Sequence, residues 1–158
     1  PRTTTERRDY LPIGFLDNNS IVTDAIQVIY DPEIYLMGIL SSKIHMLWVK
    51  VVAGRLKSDL RYSNSLCYNT FPFPNISRKQ KDEITEFVFA ILDEREKHSQ
   101  KTLAQLYDPD KMPEGLKKAH HNLDIAIEQC YRSKPFESDE ERLSTLLNLY
   151  QEMTAEEK

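Results

Sequence analysis

The stretch from Ile34 to Val52, IYLMGILSSKIHMLWVKVV, constrains this chain more than any other. Its apolar residues run almost all the way round a helix, and such a helix needs neighbours on every side. Asp31 followed by Pro32 reads as a cap and a first helical position. The helix is expected to run to about Ala53, where Gly54 stops it. Ser41, Ser42, Lys43, His45 and Lys50 interrupt the run, and their solvation cost in lipid argues for a helix buried in a folded domain rather than in a membrane. With 158 residues, 40% of them hydrophobic, the chain can enclose such a helix in one core, or in a small core with a helical appendage.

The segments flanking the helix differ in kind. YLPIGFL (10–16) and SIVTDAIQVIYD (20–31) are rich in β-branched and aromatic residues and are separated by the turn former DNN, so they read as two strands. From Arg55 to about Asn69 the pattern alternates again, as in a strand or hairpin, and FPFP (71–74) forces an extended exit. Helices follow. Ser77 with Gln80 makes a capping-box pattern ahead of Ile84, Phe87, Val88, Ile91 and Leu92. Another helix, from about Pro113 to Tyr131, aligns Leu116, Ala119, Leu123, Ile127 and Cys130. Ser138 with Glu141 opens a last one, carrying Leu143, Leu146, Leu147 and Tyr150. The expected class is α+β: a small β-containing subdomain around the central buried helix over residues 1–76, then a C-terminal helical bundle over 77–158.

Little in the sequence points to catalysis. Four scattered glycines supply no loop for a nucleotide or S-adenosylmethionine, so no cofactor is expected on this chain. NTFPFP is not the Asn-Pro-Pro-aromatic motif of amino-group DNA methylases, because Thr70 and Phe71 intervene and no adjacent prolines follow Asn69. His120 and His121 point about 100° apart on a helix and do not form a metal pair; they read as an exposed, partly buried pair. His45, between Ile44 and Met46, reads as a hydrogen-bonded packing residue, and Asp108 and Asp110 as an acidic turn without the further oxygen ligands of a calcium loop. No catalytic and no metal-binding residue is assigned. Cys67 and Cys130, too few and too far apart for a disulfide framework, suit a reducing cytoplasm.

The segment RLKSDLRYS (55–63) carries the candidate site. If it is extended, Arg55, Lys57, Asp59, Arg61 and Ser63 share one face, while Leu56, Ser58, Leu60 and Tyr62 share the other. Against DNA, Lys57 has the donors for the acceptors on guanine's major-groove edge, and Asp59 accepts from the amino group of the paired cytosine. Arg55, Arg61 and Ser63, with Asn64 and Lys43 in support, would hold phosphates, which position a protein without reading sequence. The charge distribution agrees: residues 1–80 hold 10 Lys and Arg against 7 Asp and Glu, whereas residues 81–158 hold 11 against 18. The competing readings are a solvated hairpin on a helical protein-interaction module and, more remotely, a hydrolase using His45 or His120.

The order of YLPIGFL, then GILSSKIHMLWVKVVAGRLKSDLRYSNSLCYNTFPFP, then LKKAHHNLDIAIEQCYRSKPFESDEERLSTLLNLYQEMT resembles the C-terminal part of the MmeI-like type II restriction-modification enzymes. These join an endonuclease, an adenine-specific DNA methyltransferase and a target recognition domain in one chain. The resemblance implies that residues 1–76 are the later part of a target recognition domain and 77–158 a helical domain that supports the protein on DNA. It implies double-stranded DNA and the parent's methyltransferase domain as partners, no membrane, and a bacterial cytoplasm. S-adenosylmethionine, with Mg for cleavage, would belong to the parent enzyme, and this chain alone would be inactive. It implies, too, that the pair matching Lys57 and Asp59 varies with the base pair read, Lys-x-Asp suiting guanine in the methylated strand and Glu-x-Arg suiting cytosine. The absent initiator methionine fits an excised piece of something larger.

Overall fold

The computed structural model describes residues 2–156. The chain opens with a three-residue strand, β1 (Thr3–Thr5), and then runs without regular structure to residue 33. The turn expected at DNN forms, Ser20 N–H donating to the Asp17 carbonyl at 3.2 Å, but the strands expected on either side of it do not. A strand needs a partner as well as a composition. Pro12 removes a ladder donor from the first segment, and the second meets the sheet through Arg2 N–H donating to the Ala25 carbonyl at 2.9 Å.

The central helix is two helices. α1 (Ile34–Leu40) and α2 (Lys43–Val52) meet at a bend of 57°. The break lies at two buried serines whose hydroxyls take over backbone bonding: Ser41 Oγ donates to the Met37 carbonyl at 2.7 Å and Ser42 Oγ to that of Ile39 at 2.6 Å. Ser42 then caps α2, accepting from His45 N–H. The start also differs from expectation. Asp31 adopts a left-handed φ of 46°, and Glu33, not Asp31, is the cap residue of α1. Among the described residues no single helix is long and apolar enough to cross a membrane.

After α2 come β2 (Gly54–Leu56), β3 (Asp59–Arg61) and a π-helical turn (Asn64–Tyr68). The sheet order is β1-β3-β2, with both pairings antiparallel. The helical half comprises α3 (Arg78–Glu96), a single turn α4 (Leu103–Leu106), α5 (Glu114–Tyr131) and α6 (Asp139–Glu156). The Ser77–Gln80 capping box forms as expected, and Ser138 Oγ accepts from Glu141 N–H at the start of α6. The apolar stripes of α3 and α5 face the core as the spacing predicts, with Ile84, Val88, Ile91, Leu116, Leu123 and Ile127 buried and Phe87, Leu92 and Cys130 partly so; on α6, Leu146 is fully buried, while Leu147 stands 39% exposed.

One apolar cluster joins α1 and α2 (Met37, Ile39, Ile44, Trp48) to α3 (Ile84, Val88, Ile91), α5 (Leu116, Leu123, Ile127) and α6 (Leu146). It crosses residue 76 without a break. A smaller cluster of Met46, Val49, Leu60, Tyr62 and Cys67 lies beneath the sheet. α2 therefore serves both, with Ile44 and Trp48 facing one and Met46 and Val49 the other, which explains its all-round apolarity. Gly38 is where α1 comes closest to its neighbours. A Cβ there would lie 2.6 Å from Ile84 Cγ2 and 3.0 Å from Val88 Cγ2.

Candidate nucleic-acid interface

The segment 55–63 is not one extended row. β2 and β3 form a hairpin with Gly54 opposite Arg61, Arg55 opposite Leu60 and Leu56 opposite Asp59, so Lys57 and Ser58 are its two-residue turn. A turn this short requires a left-handed residue, and it is Lys57, at φ 57°. That conformation strains a lysine by about 1–3 kcal/mol, and sparsely populated backbone of this kind collects where function needs a side chain aimed. The usual sequence signals for a two-residue turn, Asn-Gly or Asp-Gly, are absent, so the alternation alone leaves strand and hairpin open.

Cross-strand partners in an antiparallel sheet share a face. Leu60, fully buried, points inward, and its partner Arg55 lies on the same face but is exposed. Asp59 and Arg61 point outward, with Leu56 beside Asp59. The expectation that Arg55 shares a face with Asp59 and Arg61 is therefore corrected: the chain reverses at Lys57, and Arg55 lies at the rim of the opposite face, paired with Glu6 at 2.6 Å. Lys57, Asp59 and Arg61 form no side-chain hydrogen bond or ion pair among the described residues. Lys57 and Arg61 are exposed and Asp59 half-buried. Among the described residues one carboxylate and two cations thus stand unspent along the hairpin, Lys57 at the tip, Asp59 next to it and Arg61 at the open end opposite Gly54.

The supporting residues divide. Ser63 is the cap of the π-helical turn, its hydroxyl oxygen accepting from Leu66 N–H at 3.3 Å, and Asn64 beside it is exposed. Lys43 is elsewhere. It begins α2 whereas the hairpin follows the end of α2, a helix length of about 15 Å away, and its ammonium pairs with Asp139 of α6 at 3.0 Å.

The hairpin is held from below by an aromatic layer. His45, fully buried, shares a hydrogen bond with Tyr62 OH at 3.2 Å and stacks edge-on against Phe71, the packing role expected of it. Burial holds its imidazole down at about 3, so it stays neutral. His120 differs from expectation: it is fully buried, hydrogen-bonded to Tyr107 OH at 2.7 Å and stacked on Tyr10. Burial, with the nearby Arg95 cation, lowers it also to about 3. Asp124 of α5 ties the halves together, accepting from Lys43 N–H at 2.8 Å and from Tyr10 OH at 2.9 Å; burial pushes its carboxyl up to about 7. These three groups are buried and hydrogen-bonded to residues of the interior, as packing groups are.

Sequence reasoning missed β1. Its register places Thr3 opposite Arg61 and Thr5 opposite Asp59, so both hydroxyls stand on the outward face beside the charged pair, while Thr4, 2% exposed, faces inward with Leu60. The β-branched run TTT between Arg2 and Arg7 was the available signal.

Residues 1–75 match the family model described as MmeI, target recognition domain, and residues 76–157 match that of the MmeI C-terminal domain. The chain is 56% identical over 154 residues to DNA methyltransferase A of Bacillus subtilis (strain 168), covering 98% of this chain and 17% of that protein. It is 43% identical, with a TM-score of 0.93, to a chain of the solved Type IIL restriction-modification enzyme MmeI in complex with DNA, covering 98% of this chain and 21% of that one. The chain thus spans about a fifth of the length of these relatives. Both halves having matched, the chain belongs to the MmeI family, in which it corresponds to target recognition and C-terminal domain sequence.

Proposed function

We propose that this chain is the DNA-docking, sequence-reading part of a site-specific DNA adenine-N6 methyltransferase of the restriction-modification type. The observation that carries the reading is the β2–β3 tip. Lys57 is held out in a strained left-handed turn, with Asp59 behind it and neither charge paired among the described residues. A two-stranded ribbon fits the major groove, which is about 12 Å wide. There Lys57 donates to guanine O6 and N7, and Asp59 accepts from the cytosine amino group across the pair. Arg61, with Ser63 and Asn64 after it, meets backbone phosphate and sets register. Arg55 and Lys43 act as supports, Arg55 by holding the rim of the sheet to Glu6 and Lys43 by tying α2 to α6.

On this reading residues 1–76 carry recognition and 77–158 brace it. The chemistry lies in the remainder of the longer enzyme, whose methyltransferase domain would bind S-adenosylmethionine and receive the adenine. An adenine amine paired inside a duplex must be flipped out to react, and a reader seated on neighbouring base pairs helps to present it. Cleavage, where the parent performs it, would use Mg there.

The test is the paired substitution Lys57→Glu with Asp59→Arg in the longer enzyme, read as the set of sites methylated. Donor and acceptor exchange places, so preference should move from G·C to C·G at one position, each bidentate contact being worth roughly 1–3 kcal/mol. Intact activity on an unchanged site would remove both residues from base reading. Duplex DNA titrated against the chain itself at two salt concentrations should show weak binding that falls as salt rises. Failure to bind at low salt, with capture of a protein instead, would favour an interaction module.

A further inference from the structure

The outward face of the sheet does not end at the hairpin. β1 lies against β3 on the side away from β2, and its register sets the Thr3 hydroxyl beside Arg61 and that of Thr5 beside Asp59. Neither hydroxyl is spent as a donor among the described residues: Thr3 is exposed, and Thr5 Oγ1 does no more than accept from Arg7 N–H at 3.4 Å. Strands are spaced about 4.8 Å apart, so β1 stands nearly 10 Å from β2. The two strands of the hairpin already fill a groove about 12 Å wide. A third strand on one flank meets the groove wall, where the acceptors are phosphate oxygens rather than base edges.

Resting on the DNA-reading role of the hairpin, we infer that β1 is a phosphate-docking strand, with Thr3 and Thr5 donating hydroxyl hydrogen bonds to the DNA backbone along one wall of the groove that the hairpin reads. The two contacts fix how deep and at what angle the tip enters, and they carry no sequence information themselves. They differ from a lysine or arginine contact in one measurable respect. A neutral hydroxyl neutralises no phosphate charge, so it releases no counterion.

Valine keeps the β-branched shape of threonine and removes only the hydroxyl, so the strand should persist, checked by an unchanged urea midpoint. Thr3→Val and Thr5→Val are titrated, singly, against duplexes that carry G·C or C·G at the position read, at several salt concentrations, beside Arg61→Ala. Each valine variant should bind every duplex about tenfold more weakly, the loss of one hydrogen bond to a charged group, with the salt slope unchanged. Arg61→Ala should lower the slope by about one. A loss confined to one of the duplexes would make the hydroxyl a base reader and overturn the phosphate role. Full binding by both valine variants, with Arg61→Ala weakened, would overturn the inference while leaving the hairpin reading intact. If wild type and Arg61→Ala alike fail to bind at low salt, the hairpin reading falls and the inference with it.

Discussion

Asp124 offers a sharp test of the interior. Its carboxylate is 6% exposed and joins three elements, the start of α2 through Lys43 N–H, the N-terminal segment through Tyr10 OH, and α5 on which it sits. Burial raises it from 3.8 to about 7 against the opposing pull of those two hydrogen bonds. A raised carboxyl means that the folded state takes up a proton where the unfolded chain has released one. Its stabilisation is therefore full below about pH 4 and is lost as pH rises through 7. Three pH units at 1.36 kcal/mol each make that loss about 4 kcal/mol. His45 and His120, both depressed to about 3, act in the opposite direction, lending stability that falls away as pH drops below 6.5. Total stability against pH therefore mixes the signs, and the difference between wild type and Asp124→Asn isolates the carboxylate. The amide still accepts from Lys43 N–H and donates to the Tyr10 oxygen, but does not titrate. Urea unfolding at pH 4, 5, 6, 7 and 8 should show the variant gaining on wild type by about 4 kcal/mol across the range. With a slope of about 2 kcal/mol per molar urea, that is a shift of about 2 M in midpoint. Parallel curves for the two proteins would refute the reasoning, since they would mean that the two hydrogen bonds keep Asp124 ionised at its ordinary value.

Gly38→Ala should destabilise the fold by roughly 1–3 kcal/mol in urea unfolding, because the added methyl meets Ile84 at 2.6 Å across a packed seam; a neutral or stabilising result would show that α1 withdraws freely from α3. Ser77→Ala should remove one side of the capping box of α3 and lower stability by about 1 kcal/mol in urea unfolding. The exchange Lys57→Glu with Asp59→Arg should leave the unfolding midpoint nearly unchanged, since neither side chain bonds within the protein among the described residues; a large loss of stability would reveal a structural role for the pair.

Legibility followed the range over which each signal acts. Capping boxes and 3.6-residue stripes are local, so α3, α5 and α6 were readable almost to their ends from Ser77, Gln80, Leu116 and Ser138. Strands are not local. SIVTDAIQVIYD has the composition of one and no neighbour to pair with along its length, whereas TTT becomes one because β3 passes beside it. The bend at Ser41 and Ser42 was hidden for a similar reason, since a serine in a helix leaves open whether its hydroxyl turns back onto the backbone. At the candidate site, residue identities were legible and their arrangement was not. The period of two in RLKSDLRYS suggested a single face, but a lysine in a left-handed turn folds that row back and sends Arg55 to the other side. The burial of His120 is not legible locally, because it depends on Tyr107 across the turn before α5 and on Tyr10 at the other end of the chain.

The apolar interior that runs unbroken past residue 76 limits how this molecule could be recombined with its relatives. A chimera joined at that position would pair α1 and α2 of one protein with α3 and α5 of another, and every mismatched methyl between them would fall in a solid, close-packed space. The few outward side chains of the hairpin and β1 carry no such debt to the interior. On the proposed reading, specificity is more readily transplanted a residue at a time than a domain at a time.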